Sequence, residues 1–251
     1  MHLEQQLSNR IGVFSDIHGN LHALDAVLSA YDALGVKDLI CCGDIVGYGA
    51  FPNECVERVR ERNIFCVAGN HDFAALGLVD ITYFNLIAKR ALLWTREALL
   101  PKNLEFLKNQ PLALDSDDAL FVHASPRMPE QWNYIITMGD ARINFRHFSQ
   151  RMCFLGHSHT PFIVQLVPEE ETLSCIDRQL VQLDPQNRYL FNVGSVGQPR
   201  DGNPDACFSV LDRDKGTLEV LHTRYDIEAA QVAIRHAGLP TELAERLAMG
   251  M

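Results

Sequence analysis

Carboxylate, carboxamide and imidazole side chains occur in five short blocks of this sequence. The blocks are Ser15-Asp16-Ile17-His18, Gly43-Asp44, Gly69-Asn70-His71-Asp72, Val122-His123 and Gly156-His157-Ser158-His159. Together they could hold two divalent metal ions with one shared ligand and leave open positions for water and substrate. This set of side chains is typical of a metal-dependent hydrolase.

Each block follows a short apolar run that predicts a buried strand. The runs are residues 11–14, 39–42, 64–67, 119–122 and 152–155. Because open α/β sheets place their sites at the carboxyl ends of strands, we expect the blocks to meet at one edge. In the pairs Asp16/His18 and His157/His159, an extended backbone would turn both side chains toward the same side.

The ligand types favour borderline to hard divalent ions, with Mn as the first choice and Fe, Ni, Zn or Co as alternatives. Cysteine is absent from the five blocks, which argues against a structural zinc site built from thiolates. Two ions about 3.5 to 4 Å apart can clamp a phosphate and lower the pKa of a bridging water.

The order of the blocks, Asp-x-His, Gly-Asp, Gly-Asn-His-Asp, His and Gly-His-x-His, resembles the calcineurin-like metallophosphoesterases from about Ile11 to Asp212. With the stretch at residues 192–201, it is most similar to their small bacterial and archaeal phosphodiesterase branch. The resemblance implies an α/β fold, a four-layer αββα sandwich of two packed mixed β-sheets flanked by helices. It also implies hydrolysis of a phosphodiester or phosphomonoester by attack of a metal-bridging hydroxide.

The resemblance implies two sets of metal ligands. The first metal would be held by Asp16, His18, Asp44 and His159. The second would be held by Asp44, Asn70, His123 and His157, so that Asp44 bridges the two ions. His71 would face the scissile phosphate as an acid that holds no metal, and Asn70 would act beside it in binding and catalysis.

One block departs from the pattern of phosphoprotein phosphatases and symmetrical dinucleoside tetraphosphatases, in which x-x-Asp-Arg-Gly follows Gly-Asp. Here residues 43–49 read Gly-Asp-Ile-Val-Gly-Tyr-Gly, so the Asp that orients the active-site His and the Arg that anchors phosphate are missing. Asp72 could take over the orienting role. Arg200, in a glycine-rich turn that could form an anion nest, could contact phosphate or could be a solvated turn residue.

Three functions stay open on these grounds. The first is a dinuclear phosphoesterase acting on a small anionic ester. The second is a dinucleoside polyphosphate hydrolase or phosphoprotein phosphatase, which the departure at residues 43–49 disfavours. The third is a non-catalytic scaffold of the same fold. Scaffolds typically lose a ligand or the acid histidine, and all seven ligand positions and His71 are present here.

The composition of the 251 residues fits one α/β domain over residues 1–251, with 47% hydrophobic and 22% charged residues. A net charge of −10 opposes stable binding to a nucleic-acid duplex. Two ions against two ligand carboxylates would still leave the site positive, so that it attracts an anionic phosphate ester. A homo-oligomer stays possible.

The cysteine pattern and the apolar runs bear on location. The seven cysteines are odd in number and lie mostly inside apolar runs, which indicates reduced thiols in a reducing compartment. Residues 1–10 lack the apolar region of a signal peptide, and no run reaches the roughly 18 residues of a spanning helix. We therefore expect a cytoplasmic protein that makes no membrane contact.

The segments between the blocks predict alternating strands and helices. Asn20 and Gly35 bound the first helix, Pro52 opens a second and Pro101 a short one, and a long helix is expected over 81–100. The first three strands should be parallel with right-handed crossovers. Later strands are expected at residues 162–167, 180–183, 189–193, 207–211 and 218–224, forming a mostly antiparallel second sheet. A helical tail broken at 238–240 completes the chain.

Aromatic and histidine side chains near the blocks have open roles. Trp132 and Tyr134 follow His123 and could stack on a base or aryl group of a substrate, or could pack in the core or at a subunit contact. His22 is expected on a helix flank and not as a third metal ligand. Phe84 is expected in the core.

Overall fold

The structure of this chain is a computed structural model that describes residue 3, residues 7–82 and residues 84–251. In these residues the strands are β1 Arg10–Phe14, β2 Asp38–Cys41, β3 Phe65–Cys66, β4 Ala113–Asp115, β5 Ala119–Val122, β6 Met152–Leu155, β7 Phe162–Val167, β8 Thr172–Cys175, β9 Leu180–Gln182, β10 Arg188–Asn192, β11 Ala206–Asp212 and β12 Thr217–Thr223. The α-helices are α1 Leu21–Leu34, α2 Pro52–Glu61, α3 Asn70–Ala75, α4 Leu86–Ala98, α5 Pro101–Lys108, α6 Met138–Asn144, α7 Ile227–His236 and α8 Thr241–Leu247.

The strands form two six-stranded sheets. The first has the order β3-β2-β1-β11-β12-β9 and the second β4-β5-β6-β10-β7-β8. Strands β1, β2 and β3 are parallel, as are β5, β6 and β10, while the remaining pairs are antiparallel. Both sheets are therefore mixed, which confirms the predicted sheet type and the parallel first three strands.

Side-chain alternation along the strands explains the layers. Ile11 and Val13 of β1 belong to the apolar core between the two sheets, whereas Phe14 faces the helices outside the first sheet. Strand β6 likewise sends Phe154 into the intersheet core and Cys153 toward the layer that contains α6. Both faces of the central strands are buried, so these strands read as continuous apolar runs. The predicted αββα sandwich is confirmed.

The first helix packs closely on β1 because of one glycine. A Cβ atom at Gly12 would lie 2.5 Å from the Tyr31 ring, so glycine makes room for this fully buried side chain. The Tyr31 hydroxyl donates to the carbonyl oxygens of Val13 and Ser209, at 3.2 and 3.0 Å. Asn20 caps the helix by accepting from Ala23 N, and Gly35 ends it with φ of 68°, as predicted.

The later strands differ from the sequence prediction. They do not form one sheet: β7, β8 and β10 join the second sheet, whereas β9, β11 and β12 join the first. The expectation of a separate, mostly antiparallel sheet is wrong because β10 pairs with β6 and β11 pairs with β1.

Some helix and strand bounds also differ. The helix expected over 81–100 begins at Leu86, since Asn85 accepts from Ala88 N and caps it there. Strands β4 and β8 and helix α6 were not predicted. In the part of the chain that the structure describes, none of the helices has the length and apolar character that crossing a membrane requires.

Candidate metal centre

The predicted ligand blocks meet at one end of the sandwich. Asp16 and His18 follow β1, Asp44 follows β2, His123 follows β5, and His157 and His159 follow β6. Asn70 begins α3 shortly after β3. The blocks thus come from the carboxyl ends of parallel strands in both sheets, and all seven predicted ligand side chains are buried.

The backbone conformation of these blocks is unusual. Positive φ angles occur at five predicted ligands, namely Asp16 (57°), His18 (50°), Asp44 (54°), His157 (67°) and His159 (62°). Such left-handed conformations cost about 1–3 kcal/mol each in residues other than glycine and cluster at functional sites. Asp16 and His18 meet in one group of candidate ligands, whereas His157 and His159 enter different groups. Left-handed turns direct the side chains of both pairs, so the extended backbone expected from the sequence is wrong.

The first group of candidate ligands consists of Asp16, His18 and His159. The Nε2 atoms of the two imidazoles lie 3.0 Å apart, and Asp16 Oδ1 is 3.2 Å from His159 Nε2. Nδ1 of His18 faces the carbonyl oxygen of Val46 at 3.2 Å, and Nδ1 of His159 faces that of Gln198 at 2.6 Å. These bonds assign the proton of each ring to Nδ1 and leave the Nε2 lone pairs facing Asp16.

The second group consists of Asp44, His123 and His157. Nε2 of His123 lies 3.3 Å from Asp44 Oδ2, 3.1 Å from His157 Nδ1 and 3.0 Å from Asn70 Oδ1. Its Nδ1 faces the carbonyl oxygen of Cys42 at 2.8 Å, which again leaves the Nε2 lone pair directed into the centre.

Asp44 lies between the two groups. Its Oδ2 is 3.6 Å from His18 Nε2 in the first group and 3.3 Å from His123 Nε2 in the second. Oδ1 accepts a 2.8 Å hydrogen bond from the main-chain N–H of His71. This position suits the bridging role expected from the sequence, which stays a prediction.

The residues fit divalent cations because the acceptor atoms of the first group, Asp16 Oδ1 and the Nε2 atoms of His18 and His159, converge without a donor between them. Among the described residues, Asp16 Oδ1 accepts no hydrogen bond although it is buried. A cation between this carboxylate and the facing Nε2 atoms would satisfy all of them at once, and oxygen and imidazole ligands suit Mn, Fe, Zn, Ni or Co. The donor chemistry is thus that of a metal centre.

Charge interactions agree with this assignment. Burial alone would raise the pKa of Asp44, but the positive charges of His123, His71 and His18 lower it below its usual range. Burial would lower the pKa of His123, but the charge of Asp44 outweighs it and raises this pKa to about 9. Burial lowers the pKa of His157 to about 3 and that of His159 to about 4. In the metal-free centre His123 therefore stays protonated, and its charge balances that of the carboxylates. A bound cation would replace this proton as the balancing charge.

His71 lies at the edge of the centre. It is buried, and its ring centroid is 4.8 Å from that of His18. Its Nδ1 finds no hydrogen-bond partner in the described part of the chain and faces Gly47, where a Cβ atom would approach it to 2.6 Å. On distance alone His71 could also join His18 and Asp44 as a ligand. The non-ligand role implied by the family resemblance stays a prediction.

Asp72 does not hold the His71 ring. Its Oδ1 accepts from Val46 N and its Oδ2 from Gly69 N, both at 3.0 Å. Burial, with the nearby charge of Asp44, raises the pKa of Asp72 to about 7. The carboxylate therefore holds the two loops together at the start of α3, and the suggested orienting role for Asp72 lacks a direct contact.

Arg200 reaches the centre from the loop between β10 and β11. Its Nη2 donates to Gln198 Oε1 at 2.8 Å and contacts the Tyr48 hydroxyl at 3.4 Å. It lines a cavity of about 450 Å³ that opens onto Asn70, His71 and His157. In the sequence, Tyr48 stands where the Asp-Arg-Gly pattern has its arginine. Arg200 comes from a distant segment but contacts the Tyr48 hydroxyl, so it brings a guanidinium group close to that position.

Several site residues were not expected from the sequence. The Ser195 hydroxyl and the Gly197 N–H both bind the carbonyl oxygen of Asp16 at 2.9 Å, so this loop holds the first ligand block. Arg246 of α8 lines the same cavity as Arg200. The glycine-rich stretch at 192–201 was a signal for the loop, but nothing in the local pattern around Arg246 pointed to it.

The aromatic residues after His123 also lie at the site. The Tyr134 ring stacks on His157 with centroids 4.0 Å apart, and the Trp132 ring is 5.9 Å from that of His123. Both line the cavity, so they are not core residues. His22 lies on α1, as predicted, with its ring 5.5 Å from that of Phe51.

Comparisons with known proteins agree on one family. The profile of the calcineurin-like phosphoesterase superfamily domain matches residues 10–216. An uncharacterised protein of Methanocaldococcus jannaschii, MJ0912, is 41% identical over 249 residues, covering 97% of this chain and 99% of the relative. The crystal structure of a metallophosphoesterase from Sphaerobacter thermophilus is 39% identical, with a TM-score of 0.83 over 96% of this chain and 99% of the other. The hypothetical protein PH1004 from Pyrococcus horikoshii OT3, 20% identical, shares the fold with a TM-score of 0.79 over 96% of this chain and 98% of its own.

Proposed function

Because the chain belongs to the calcineurin-like phosphoesterase superfamily, we propose that it hydrolyses small anionic phosphate esters, diesters or monoesters, with two divalent cations. The observation that carries this proposal is the convergence of buried acceptor atoms around Asp16 and Asp44. There the carboxylate oxygens and the imidazole Nε2 atoms lie 3.0 to 3.6 Å from one another, and most of these pairs have no proton between them.

In this proposal each ligand group would hold one cation, with Asp44 shared between them. Asp16, His18, Asp44 and His159 would hold the first, and Asp44, Asn70, His123 and His157 would hold the second, with Mn as the first candidate. When bound, the two cations would neutralise charge at the phosphate and lower the pKa of a water molecule. The carbonyl oxygens of Val46, Cys42 and Gln198 keep the three ligand rings in the tautomer that presents Nε2.

The remaining site residues would act on the substrate. Arg200 and Arg246 line the pocket and can bind anionic oxygens, since guanidinium pairs well with phosphate. Burial, with the charge of Arg200, lowers the pKa of Arg246, so the two guanidinium groups lie near each other and would both gain from an anion. His71 lies beside the centre, and in this proposal it would give a proton to the leaving oxygen.

The alternatives are weaker on the same observations. A scaffold would not need to keep all the candidate ligands buried and converging. The missing Asp-Arg pair disfavours a phosphoprotein phosphatase or a dinucleoside tetraphosphatase. We further propose that the protein acts in the cytoplasm, because its seven cysteines are free and six of them are buried.

Metal analysis combined with a substrate panel tests this proposal. The purified protein should contain up to two transition-metal ions per chain and should hydrolyse mono- or diesters with Mn added. EDTA should abolish turnover and Mn should restore it. Undiminished turnover in a metal-stripped sample, or a metal-loaded protein inert toward mono-, di- and polyphosphate esters, would contradict the proposal.

A further inference from the structure

A second and larger cavity adjoins the pocket of the metal centre. It measures about 670 Å³, and Tyr134 and Arg200 line both cavities. Most of the remaining lining is apolar and includes Ile136, Met138, Ala141, Phe162, Val164 and Cys175. We name it the apolar cavity. It lies between the start of α6 and the β7–β8 edge of the second sheet.

The polar side chains around the apolar cavity already have partners. The Thr137 hydroxyl donates to Asp140 Oδ2 at 2.8 Å and accepts from Asp140 N at 3.1 Å. The Ser158 oxygen accepts from Asn192 Nδ2 at 3.0 Å. A ligand in this cavity would therefore meet mainly hydrocarbon, together with the Arg200 guanidinium at the junction with the metal centre.

The apolar walls are costly to expose to water. Ile136 is 73% exposed and Met138 is 39% exposed, and both line the same cavity as the buried Ala141 and Val164. Exposed apolar side chains that line one cavity with buried ones are typical of a binding groove. The volume falls within the range of about 300–1,000 Å³ that is usual for small-molecule sites.

We propose that the apolar cavity binds the alcohol part of the substrate, so that the enzyme prefers phosphate esters of hydrocarbon-rich aryl or alkyl alcohols. This inference rests on the proposed function. A phosphate at the metal centre would lie beside His157, on which Tyr134 stacks at 4.0 Å, and Tyr134 also forms a wall of the apolar cavity. Because Tyr134 and Arg200 line both cavities, the ester group of that phosphate would extend past these two side chains into the apolar cavity.

The lining distinguishes this class of substrate from sugars and nucleosides. A sugar or base in the apolar cavity would lose hydrogen bonds to water and find few free partners, because Thr137 and Ser158 are already paired. Burying unpaired polar groups costs about 1–3 kcal/mol each. Hydrocarbon gains free energy in the same place.

A chain-length series tests the preference. With Mn added, kcat/KM for n-alkyl phosphates from ethyl to octyl should rise about three- to fourfold per added methylene until the cavity is filled. Glycerol phosphate, a polar match for the propyl ester, should stay near the ethyl ester. A flat series, or faster turnover of nucleoside monophosphates than of octyl phosphate, would overturn the inference.

Two variants locate the effect. Ile136→Ser removes an exposed apolar wall and should flatten the rise of kcat/KM with chain length. Ile143→Ser is the matched control, since Ile143 is 42% exposed on α6 but does not line the apolar cavity. Equal slopes in both variants and the parent chain would overturn the inference.

A binding measurement separates this inference from the proposed function. Octylphosphonate, which is not hydrolysed, should bind to the protein as purified more tightly than ethylphosphonate and with a negative heat-capacity change, and Ile136→Ser should weaken that difference. If no ester is turned over but this difference is found, the proposed function fails and the apolar site stands. Equal binding of the two phosphonates would overturn the site itself.

Discussion

The main-chain N–H of His157 donates a 2.9 Å hydrogen bond to Asp16 Oδ2, and this bond joins the ends of β6 and β1, which belong to different sheets. Gly156 permits the approach, because a Cβ atom at that position would collide with the same carboxylate oxygen. The other oxygen, Oδ1, is buried and accepts no hydrogen bond from the described residues. Asp16 thus links the sheets with one oxygen and offers the other to a ligand.

Asparagine at the two carboxylate positions should separate their roles. Asp16→Asn keeps an oxygen for His157 N but removes the charge, so we expect loss of one metal ion. Asp44→Asn should lose both ions, because Asp44 lies between the groups. Activity should fall by at least about 100-fold, which exceeds the loss typical for a residue that only hydrogen-bonds to a metal ligand. Elemental analysis beside circular dichroism measures this, with Asp177→Asn at an exposed position as the control. Two ions retained in folded Asp44→Asn would contradict the bridging role.

Gly156→Ala should damage the centre without touching a ligand side chain. The added methyl group would collide with Ser15 Oγ and Asp16 Oδ2, and overpacking of this kind costs about 1–3 kcal/mol. Urea unfolding in EDTA should show this loss, and metal content should fall. Gly139→Ala on α6 is the control, since its nearest contact is Thr137 Oγ1 at 3.5 Å. Equal stability and metal content in both variants would rule out the crowding argument.

His71→Ala should keep both metal ions and lose activity according to the leaving group. An acid that protonates the leaving oxygen contributes about 10²- to 10⁴-fold, mainly when that oxygen is a poor leaving group. We expect little loss toward nitrophenyl esters and a far larger loss toward alkyl esters. Steady-state rates on matched aryl and alkyl esters measure this. A uniform loss, or depletion of metal, would assign His71 to a structural or ligand role.

Metal binding should release a proton at neutral pH. The pKa of His123 is raised to about 9, so its ring is protonated at pH 7 in the metal-free protein and must lose that proton to bind a cation. The apparent metal affinity should therefore increase by about tenfold per pH unit from 7 to 9. Calorimetry in buffers of different ionisation heat should show about one proton released at pH 7. His22→Ala should behave like the parent chain, and no proton release would contradict the assignment.

Arg200→Gln should weaken substrate binding while both metal ions are retained. The guanidinium lines the pocket beside Asn70 and His71, and a charge-assisted bond to phosphate contributes about 1.5–3 kcal/mol, so KM should rise by about 10- to 100-fold. Arg200→Lys should restore part of the loss, since it keeps the charge but not the planar fork. Arg58→Gln, at an exposed ion pair with Asp25, is the control. An unchanged KM would leave Arg200 as a turn residue.

Local features of the fold could be predicted because they depend on neighbouring residues. The caps at Asn20 and Gly35 and the strands that precede the ligand blocks follow from residue types within a few positions. The sheet to which each later strand belongs could not be predicted. Strands β10 and β11 have equally apolar patterns, and nothing in their local sequence shows that β10 pairs with β6 and β11 with β1.

The same division holds at the metal centre. The sequence alone determined which side chains follow the strand ends, Asp16, His18 and Asp44 among them. The residue types of each block and the apolar run before it are local features that need no tertiary contact. Only the tertiary structure decided that Asp72 binds Val46 N and Gly69 N, that Arg246 reaches the pocket from α8, and that the apolar cavity opens beside Tyr134. These contacts join residues far apart in the chain, and the packing of the two sheets and their helices, not a local pattern, brings them together.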